Sequence, residues 1–273
     1  MNPYEQPALS ELAPLCLMYH ENSKINRSSE HLLTESIAEF TSNIDELRRS
    51  TSAAKTYPGS ARVQLSAVRS VPKVNQPLNV VLSRRRSIRA YAPKALSLPN
   101  LTALLVHADG VTGKLRDPAH AEIVQSVRAA PSGGALYPIE IYVVALNVDG
   151  LSAGVYHYHP VQRCLEELRL GDFSQQIESL VLTGQAKLTA AAVIVLTGRW
   201  NLPLRKYGER GYRVMLLDAG HVAQNILLVS TALGIGACTV AGFHDDALAR
   251  ELGVDAREEP VLYTLTLGHP FVG

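Results

Sequence analysis

From Gly211 to Leu233 the apolar residues Val214, Leu217, Ala219, Val222, Ile226, Val229 and Leu233 recur mostly at three- and four-residue steps, and Gly234 follows as a stop. One helix of this length, about 34 Å at 1.5 Å per residue, is long enough to run across a whole domain and organise it. Around it lie short segments rich in β-branched and aromatic residues: Ile139 to Leu146, Val155 to Tyr158, Ala192 to Thr197 and Pro260 to Leu267. Helical and strand patterns interleave without regular strand-helix-strand repeats. The expected fold is therefore α+β, with a mixed, mainly antiparallel sheet packed on a central helix, and not a doubly wound parallel sheet.

The 273 residues allow one large domain or two small ones. Twenty-six basic against 25 acidic residues leave a net charge of +1, so no global field draws the chain to nucleic acid or to an anionic membrane. Cys16, Cys164 and Cys238 are odd in number and lack metal-ligand spacing, which argues against a disulfide scaffold or a zinc site. The first residues have neither the basic nor the apolar part of a signal peptide, and the longest nearly unbroken apolar run, Leu188 to Leu196, is far short of the ~20 residues that span a bilayer. A cytoplasmic protein is expected.

Residues 1–70 read as a helical N-terminal extension, with amphipathic patterns at Leu9 to Tyr19 and Leu32 to Leu47, ahead of a main domain over 71–273. In the main domain a basic run, Pro77 to Arg89, leads to a helix that Ser97 caps and that continues through His107. A polar loop then leads to Pro131-Ser132-Gly133-Gly134-Ala135-Leu136-Tyr137-Pro138, whose small residues permit close backbone approach.

Several constellations have chemical readings. Arg84, Arg85, Arg86 and Arg89 fall within six residues around Ser87, a set of guanidinium forks and a hydroxyl suited to phosphate; the competing reading is a solvated basic loop. Gly234, Gly236 and Gly242 have the wrong spacing, and follow a helix, so a Rossmann site is rejected; Gly242 can still offer a bare backbone to a flat ligand. His157 and His159 share a strand face but have no third ligand near in sequence. Asp218, His221 and Ser132 fit no known triad order, and Cys164 reads as structural. Lys206, beside Tyr207 and near Arg210 and Arg213, is a base candidate, because burial and like charge both disfavour an ammonium; an exposed lysine is the plain alternative.

Five stretches together carry a resemblance: Arg85 to Tyr91, Arg128 to Pro138, Gly154 to Tyr158, Lys206 to Arg213 and Gly220 to Asn225. They resemble the nitroreductase superfamily, and within it the streptolysin-type (SagB-type) dehydrogenases that oxidise azolines in thiazole/oxazole-modified peptides. The resemblance runs from about Pro77 to Pro270, and its specific parts are the Pro131 to Pro138 block and the Lys-Tyr pair before Arg210-Gly211-Tyr212-Arg213.

The resemblance implies an FMN-binding fold with a central, mostly antiparallel sheet flanked by helices, working as an intertwined homodimer with each flavin at the interface. Carried across residue by residue, Arg85, Ser87 and Arg89, with Arg86 in the same loop, match residues that hold FMN phosphate and ribityl. Ser132, Gly133, Gly134 and Ala135 fall in the segment that the partner chain lays near the flavin ring. Gly242 matches the position whose amide faces flavin N5, Gln224 and Asn225 lie in the helix lining the pocket, and Lys206 and Tyr207 match the catalytic pair. No metal is implied.

The implied substrate is a precursor peptide with thiazoline or oxazoline rings, the implied companion a cyclodehydratase, and the implied final acceptor oxygen. Two other readings stay open: an NAD(P)H-dependent nitro or quinone reductase, and a non-catalytic peptide-binding subunit of a synthetase. The chain also lacks the basic residues that finish the phosphate site after the last strand in ordinary nitroreductases, which leaves His269 or Arg213 as substitutes. The extension over 1–70 is expected to extend the dimer or dock a partner.

Overall fold

A computed structural model describes residues 14–51, 54–182 and 188–271. The described residues begin with three helices, α1 (Pro14–Asn22), α2 (Glu30–Ser42) and α3 (Ile44–Thr51). The pattern over Leu32 to Leu47 breaks at Asn43, whose side chain accepts from the Asp45 and Glu46 amides and so starts a new helix. The first expected pattern shares only its later residues with α1, since 9–13 lie outside the described residues. A strap then crosses the sheet on its way to β1 (Arg62–Gln64). Lys55 Nζ pairs with buried Glu259 at 2.6 Å, the Tyr57 hydroxyl meets that of Tyr142 at 2.8 Å, and Arg62 pairs with buried Glu166 at 2.9 Å.

The main body continues through α4 (Leu78–Arg84), β2 (Leu96–Ser97), α5 (Leu98–Asp109), β3 (Val111–Arg116), β4 (Val124–Arg128), β5 (Ile139–Ala145), β6 (Val148–Asp149), β7 (Gly154–His159) and β8 (Cys164–Leu170). It is completed by α6 (Ser174–Leu180), β9 (Ala192–Gly198), α7 (Asn201–Tyr207), α8 (Arg210–Ala232), β10 (Gly236–Val240), α9 (Asp245–Leu252) and β11 (Val261–Gly268). Seven strands form one sheet in the order β1-β8-β7-β5-β9-β11-β10, and every neighbouring pair is antiparallel. This is the α+β architecture, a mostly antiparallel sheet flanked by helices, that the sequence leads one to expect.

Both sheet faces are covered, which explains why the central strands read as continuous apolar runs and not as alternation. Along β5, Ile139, Ile141 and Val143 face one core with Ile194 and Leu196 of β9, and that core is closed by α5 and by Met215, Ala219, Val222 and Ile226 of α8. Tyr142 and Val144 face the other way with Val193 and Val195, beneath Ile177 of α6 and Leu248 and Leu252 of α9. By length and composition α8 is apolar enough to cross a bilayer, but half of that stretch is buried in the protein and its Asp218 is among the buried residues, so it is a core helix. It ends as expected: Gly234 turns to φ +70, and the Ile235 amide reaches back to the Ser230 carbonyl.

Ser97 caps α5 by accepting from the Asn100 amide, as anticipated. Two stretches differ from the sequence reading. The expected polar loop before Pro131 contains the antiparallel hairpin β3–β4. The basic run begins as α4, and only Arg85 to Arg89 form a loop.

Candidate active site

The Pro131 to Pro138 segment enters β5 through a tight turn in which Gly134, Ala135 and Tyr137 all have positive φ, at +61, +54 and +46. Two of these are not glycine, and a left-handed L-residue costs about 1–2 kcal/mol, so surrounding contacts must hold the turn in place. They do. Ser132 Oγ donates to Asp218 Oδ2 of α8 at 2.6 Å, the Gly133 amide donates to Asp218 Oδ1, and the Tyr137 amide donates to Ser132 Oγ. The contact of Ser132 with Asp218 is direct, with no imidazole between them. His221, the third member of the imagined triad, is exposed one turn further along α8.

Beneath the turn, Arg128 pairs with Asp109 at 2.8 Å, both buried, and its guanidinium lies over the Tyr137 ring. Burial pushes the Asp109 carboxyl up to about 6 despite the opposing pull of Arg128.

The turn's glycines place backbone directly against α7 and α8. A Cβ on Gly133 would collide with the Val214 side chain, and one on Gly134 would collide with Tyr207 Oη and Lys206 Nζ. Lys206 and Tyr207 therefore converge on Gly134 within a single chain. Both side chains are half-buried; Lys206 Nζ lies 5.3 Å from the centre of the Phe40 ring and 5.6 Å from that of Tyr207. Burial holds the Lys206 ammonium below the ordinary lysine value.

Of the two causes expected for that shift, only burial operates here. The neighbouring cations are engaged: Arg205 pairs with Glu46, Arg210 donates to the Ser23 carbonyl, and Arg213 donates to His20. Burial, then the charge of Asp218, raises the Tyr207 phenol, which stays protonated at neutral pH. Burial also raises Asp218, against the pull of its Ser132 and Gly133 hydrogen bonds.

The basic loop lies elsewhere. Ser87 bridges Ala237 of β10, the Ile88 amide donates to the Ala237 carbonyl, and buried Tyr91 fastens the loop by donating to the Ile88 carbonyl. Arg85 is partly buried, while Ser87 and Arg89 are exposed. Arg86 Nη1 turns back onto the carbonyls of Ser83 and Arg85, closing the end of α4. This loop adjoins the C-terminal end of α8, where Arg84 shares a cavity of about 320 Å³ with Thr231 to Gly234. The Gly134 turn touches α8 at Val214 and Asp218, so the two clusters meet the helix about 20–27 Å apart along its axis.

Gly242 lies in the exposed loop between β10 and α9, where its carbonyl accepts from the Leu182 amide. Gln224 is on the exposed side of α8, whereas Asn225 Nδ2 donates to the Ala108 carbonyl at the end of α5.

The two substitutes considered for a phosphate site are otherwise placed: Arg213 on His20, and His269 beside Lys94 and Ser97 in a cavity between β2 and β6. His157 spends both ring nitrogens on buried carboxylates, Glu166 at 3.0 Å and Glu140 at 2.9 Å, while His159 accepts from the Gln162 amide. Among the described residues no group of three or more metal-ligating side chains converges. Sequence reasoning missed Ser36 and Phe40, which reach the site across long sequence separations that no local pattern announces, and the pairing of Asp109 with Arg128.

The sequence model described as "Nitroreductase family" matches residues 82–269. A Methanocaldococcus jannaschii protein named as a candidate nitroreductase, MJ1384, is 32% identical over 185 residues, covering 68% of this chain and 87% of that one. The microcin B17-processing protein McbC of Escherichia coli is 34% identical over 135 residues, 48% of this chain and half the length of that relative. Among solved structures, a chain of the E. coli microcin synthetase McbBCD complex with truncated pro-microcin B17 bound superposes with a TM-score of 0.59 at 25% identity, covering 91% of this chain and 99% of that one.

Proposed function

The chain belongs to the nitroreductase family of oxidoreductases, and from that premise we propose that it is an FMN-dependent dehydrogenase that oxidises peptide thiazolines or oxazolines to thiazoles or oxazoles. The observation that carries this reading is the convergence of Lys206 Nζ and Tyr207 Oη on the Gly134 turn. Desaturating an azoline requires removal of a proton from the ring Cα as hydride leaves the adjacent carbon, and an amine whose ammonium form is destabilised by burial is suited to take that proton at moderate pH. Tyr207, protonated beside it, donates a hydrogen bond that orients the ring or shares the proton. Hydride transfer from NAD(P)H to flavin, by contrast, requires no abstraction of a carbon-bound proton. The similarity to a microcin-processing protein supports a peptide substrate and a cyclodehydratase of the same pathway as companion.

The donor chemistry fits FMN. Arg85 and Arg89 offer guanidinium forks and Ser87 a hydroxyl, a set matched to a phosphate monoester and ribityl chain, with Arg86 closing the helix behind them. Gly242 and the Ser132 to Ala135 turn would flank the ring, along with Gln224 and Asn225. When bound, FMN supplies the two-electron acceptor for the departing hydride.

The proposed phosphate cluster and base cluster meet α8 about 20–27 Å apart in one chain, which supports a reading in which a complete site takes its two halves from two chains. The α8 face bearing Leu216 and Leu217, 41% and 63% exposed, is available for such a homodimer.

An anaerobic absorbance titration tests the reading. Purified protein loaded with FMN is mixed with an azoline-containing peptide in one cell and NADPH in another. Bleaching of the oxidised-flavin band by the peptide alone is the expected result; bleaching by NADPH alone would replace this reading with a reductase, and failure to bind FMN at all would leave a binding subunit.

A further inference from the structure

The helices that precede the family match reach into the candidate site. The face of α2 bearing Ser36 and Phe40, one turn apart, packs on α7. Ser36 Oγ donates to the carbonyls of Arg205 and Lys206, at 3.1 and 3.2 Å. These belong to the last turn of α7, whose carbonyls have no partner within the helix, so the single hydroxyl proton fastens the backbone that carries the Lys-Tyr pair. Phe40, 3% exposed, is wedged between Leu202 of α7 and Leu136 of the Gly134 turn, with Tyr207 packed alongside. One ring thus touches both elements that converge at Gly134, and Lys206 Nζ lies over its face.

We propose that Ser36 and Phe40 are positioning residues for the reaction: the N-terminal helices form the rear wall of the site, fixing the last turn of α7 and keeping water from the Lys206 amine. This inference rests on Lys206 as the base of the proposed dehydrogenase. Charged and titratable groups on the elements that pack here are Arg205 and Tyr207 on α7, Glu46 on α3, the exposed Glu35 and Glu39 on α2, and Arg210, Arg213 and Asp218 on α8. Arg205 is neutralised by Glu46, Arg210 and Arg213 are turned onto α1 and the segment after it, and Asp218 is bonded to Ser132. That leaves the apolar wall, and Phe40 within it, as the element a mutation can change without moving charge.

The test uses the full chain loaded with FMN, in the variants Phe40→Ala, Phe40→Leu, Ser36→Ala and Ser36→Thr. Protein labelled with nitrogen-15 lysine reports the titration of the Lys206 amine by NMR, the signal being assigned by its loss in Lys206→Gln. Phe40→Ala lets water reach the amine, so its titration moves up toward the ordinary lysine value, with a smaller rise in Phe40→Leu. Should Phe40→Ala fail to fold, Phe40→Leu decides.

In Ser36→Ala, kcat on an azoline peptide falls about tenfold with KM unchanged, short of the ~10²-fold that an ångström of misplacement brings, and Ser36→Thr restores it. An unmoved titration in the Phe40 variants overturns the proposal whatever kcat does, and wild-type kcat in Ser36→Ala removes Ser36 from it. If the wild type turns over no azoline, the functional reading fails, while the titration still decides whether these helices shield Lys206.

Discussion

The Gly134 turn and the Arg85 to Arg89 loop are marked in the sequence by glycine and by arginine, and they are held in opposite ways. The turn is braced from three directions, by Asp218 of α8, by Lys206 and Tyr207 of α7, and by Phe40 from the N-terminal helices. The loop is stitched by main-chain hydrogen bonds to one edge strand and by Tyr91 beneath it, with its serine and Arg89 left exposed. The difference fits the chemistry proposed for each. A lysine acts as a base near neutral pH only if its surroundings keep water out, which takes packing from several elements; guanidinium groups that meet a phosphate are charged at every pH and need only be near it.

If that contrast is right, substitutions in the two regions separate catalysis from cofactor retention. Lys206→Ala is expected to have the largest effect, a loss of about 10²- to 10⁴-fold in the rate of flavin reduction by an azoline peptide, with FMN content unchanged. Loss of flavin together with activity would make the residue structural. Gly134→Ala comes next. Its Cβ meets Lys206 Nζ and Tyr207 Oη at a positive φ, so the rate is expected to fall about 10²-fold. Thermal stability should also drop by about 1 kcal/mol.

On the other side of the comparison, Arg85→Ala is expected to weaken FMN binding by about 10-fold or more, as a charge-assisted hydrogen bond is worth about 1.5–3 kcal/mol, with kcat unaffected at saturating FMN. A flavin titration at two salt concentrations checks it; the deficit should shrink at high salt.

The smallest effect sharpens the picture of the braced region. The folded-state pKa of Asp109, about 6, lies above the ordinary 3.8, so between these values the folded chain binds the proton more tightly than the unfolded chain. Its contribution to stability is therefore greatest at or below pH ~4, declines as pH rises toward ~6 and levels off above. Urea midpoints across that range should show the decline as one component of the slope, and Asp109→Asn should remove it.

Much of this was legible in the sequence where local pattern and tertiary role coincide. The helix over Gly211 to Leu233 announces itself by periodicity and a glycine stop, and the buried central strands by β-branched runs. The structure brings Lys206, Tyr207 and the Ser132 to Ala135 turn together. What stayed hidden depends on contacts between distant segments. The cation neighbours of Lys206 suggested like-charge repulsion, but Glu46, Ser23 and His20 engage them from helices that no motif ties to the site. The His157–His159 pair hinted at a metal because nothing nearby in sequence shows that Glu140 and Glu166 flank one of the rings.

The strap between the N-terminal helices and β1 sets how firmly those helices sit on α7. Lys55, Tyr57 and Arg62 are moored on buried Glu259, Tyr142 and Glu166, a short distance along the chain from Glu46 and Phe40. Tethered so closely in sequence, the helices face α7 at an effective concentration in the millimolar range. Contacts too weak to hold a separate peptide, such as one serine hydroxyl on two carbonyls, are then formed nearly all the time. The anchorage of the strap, remote from the reacting atoms, thereby governs the occupancy of the wall behind them.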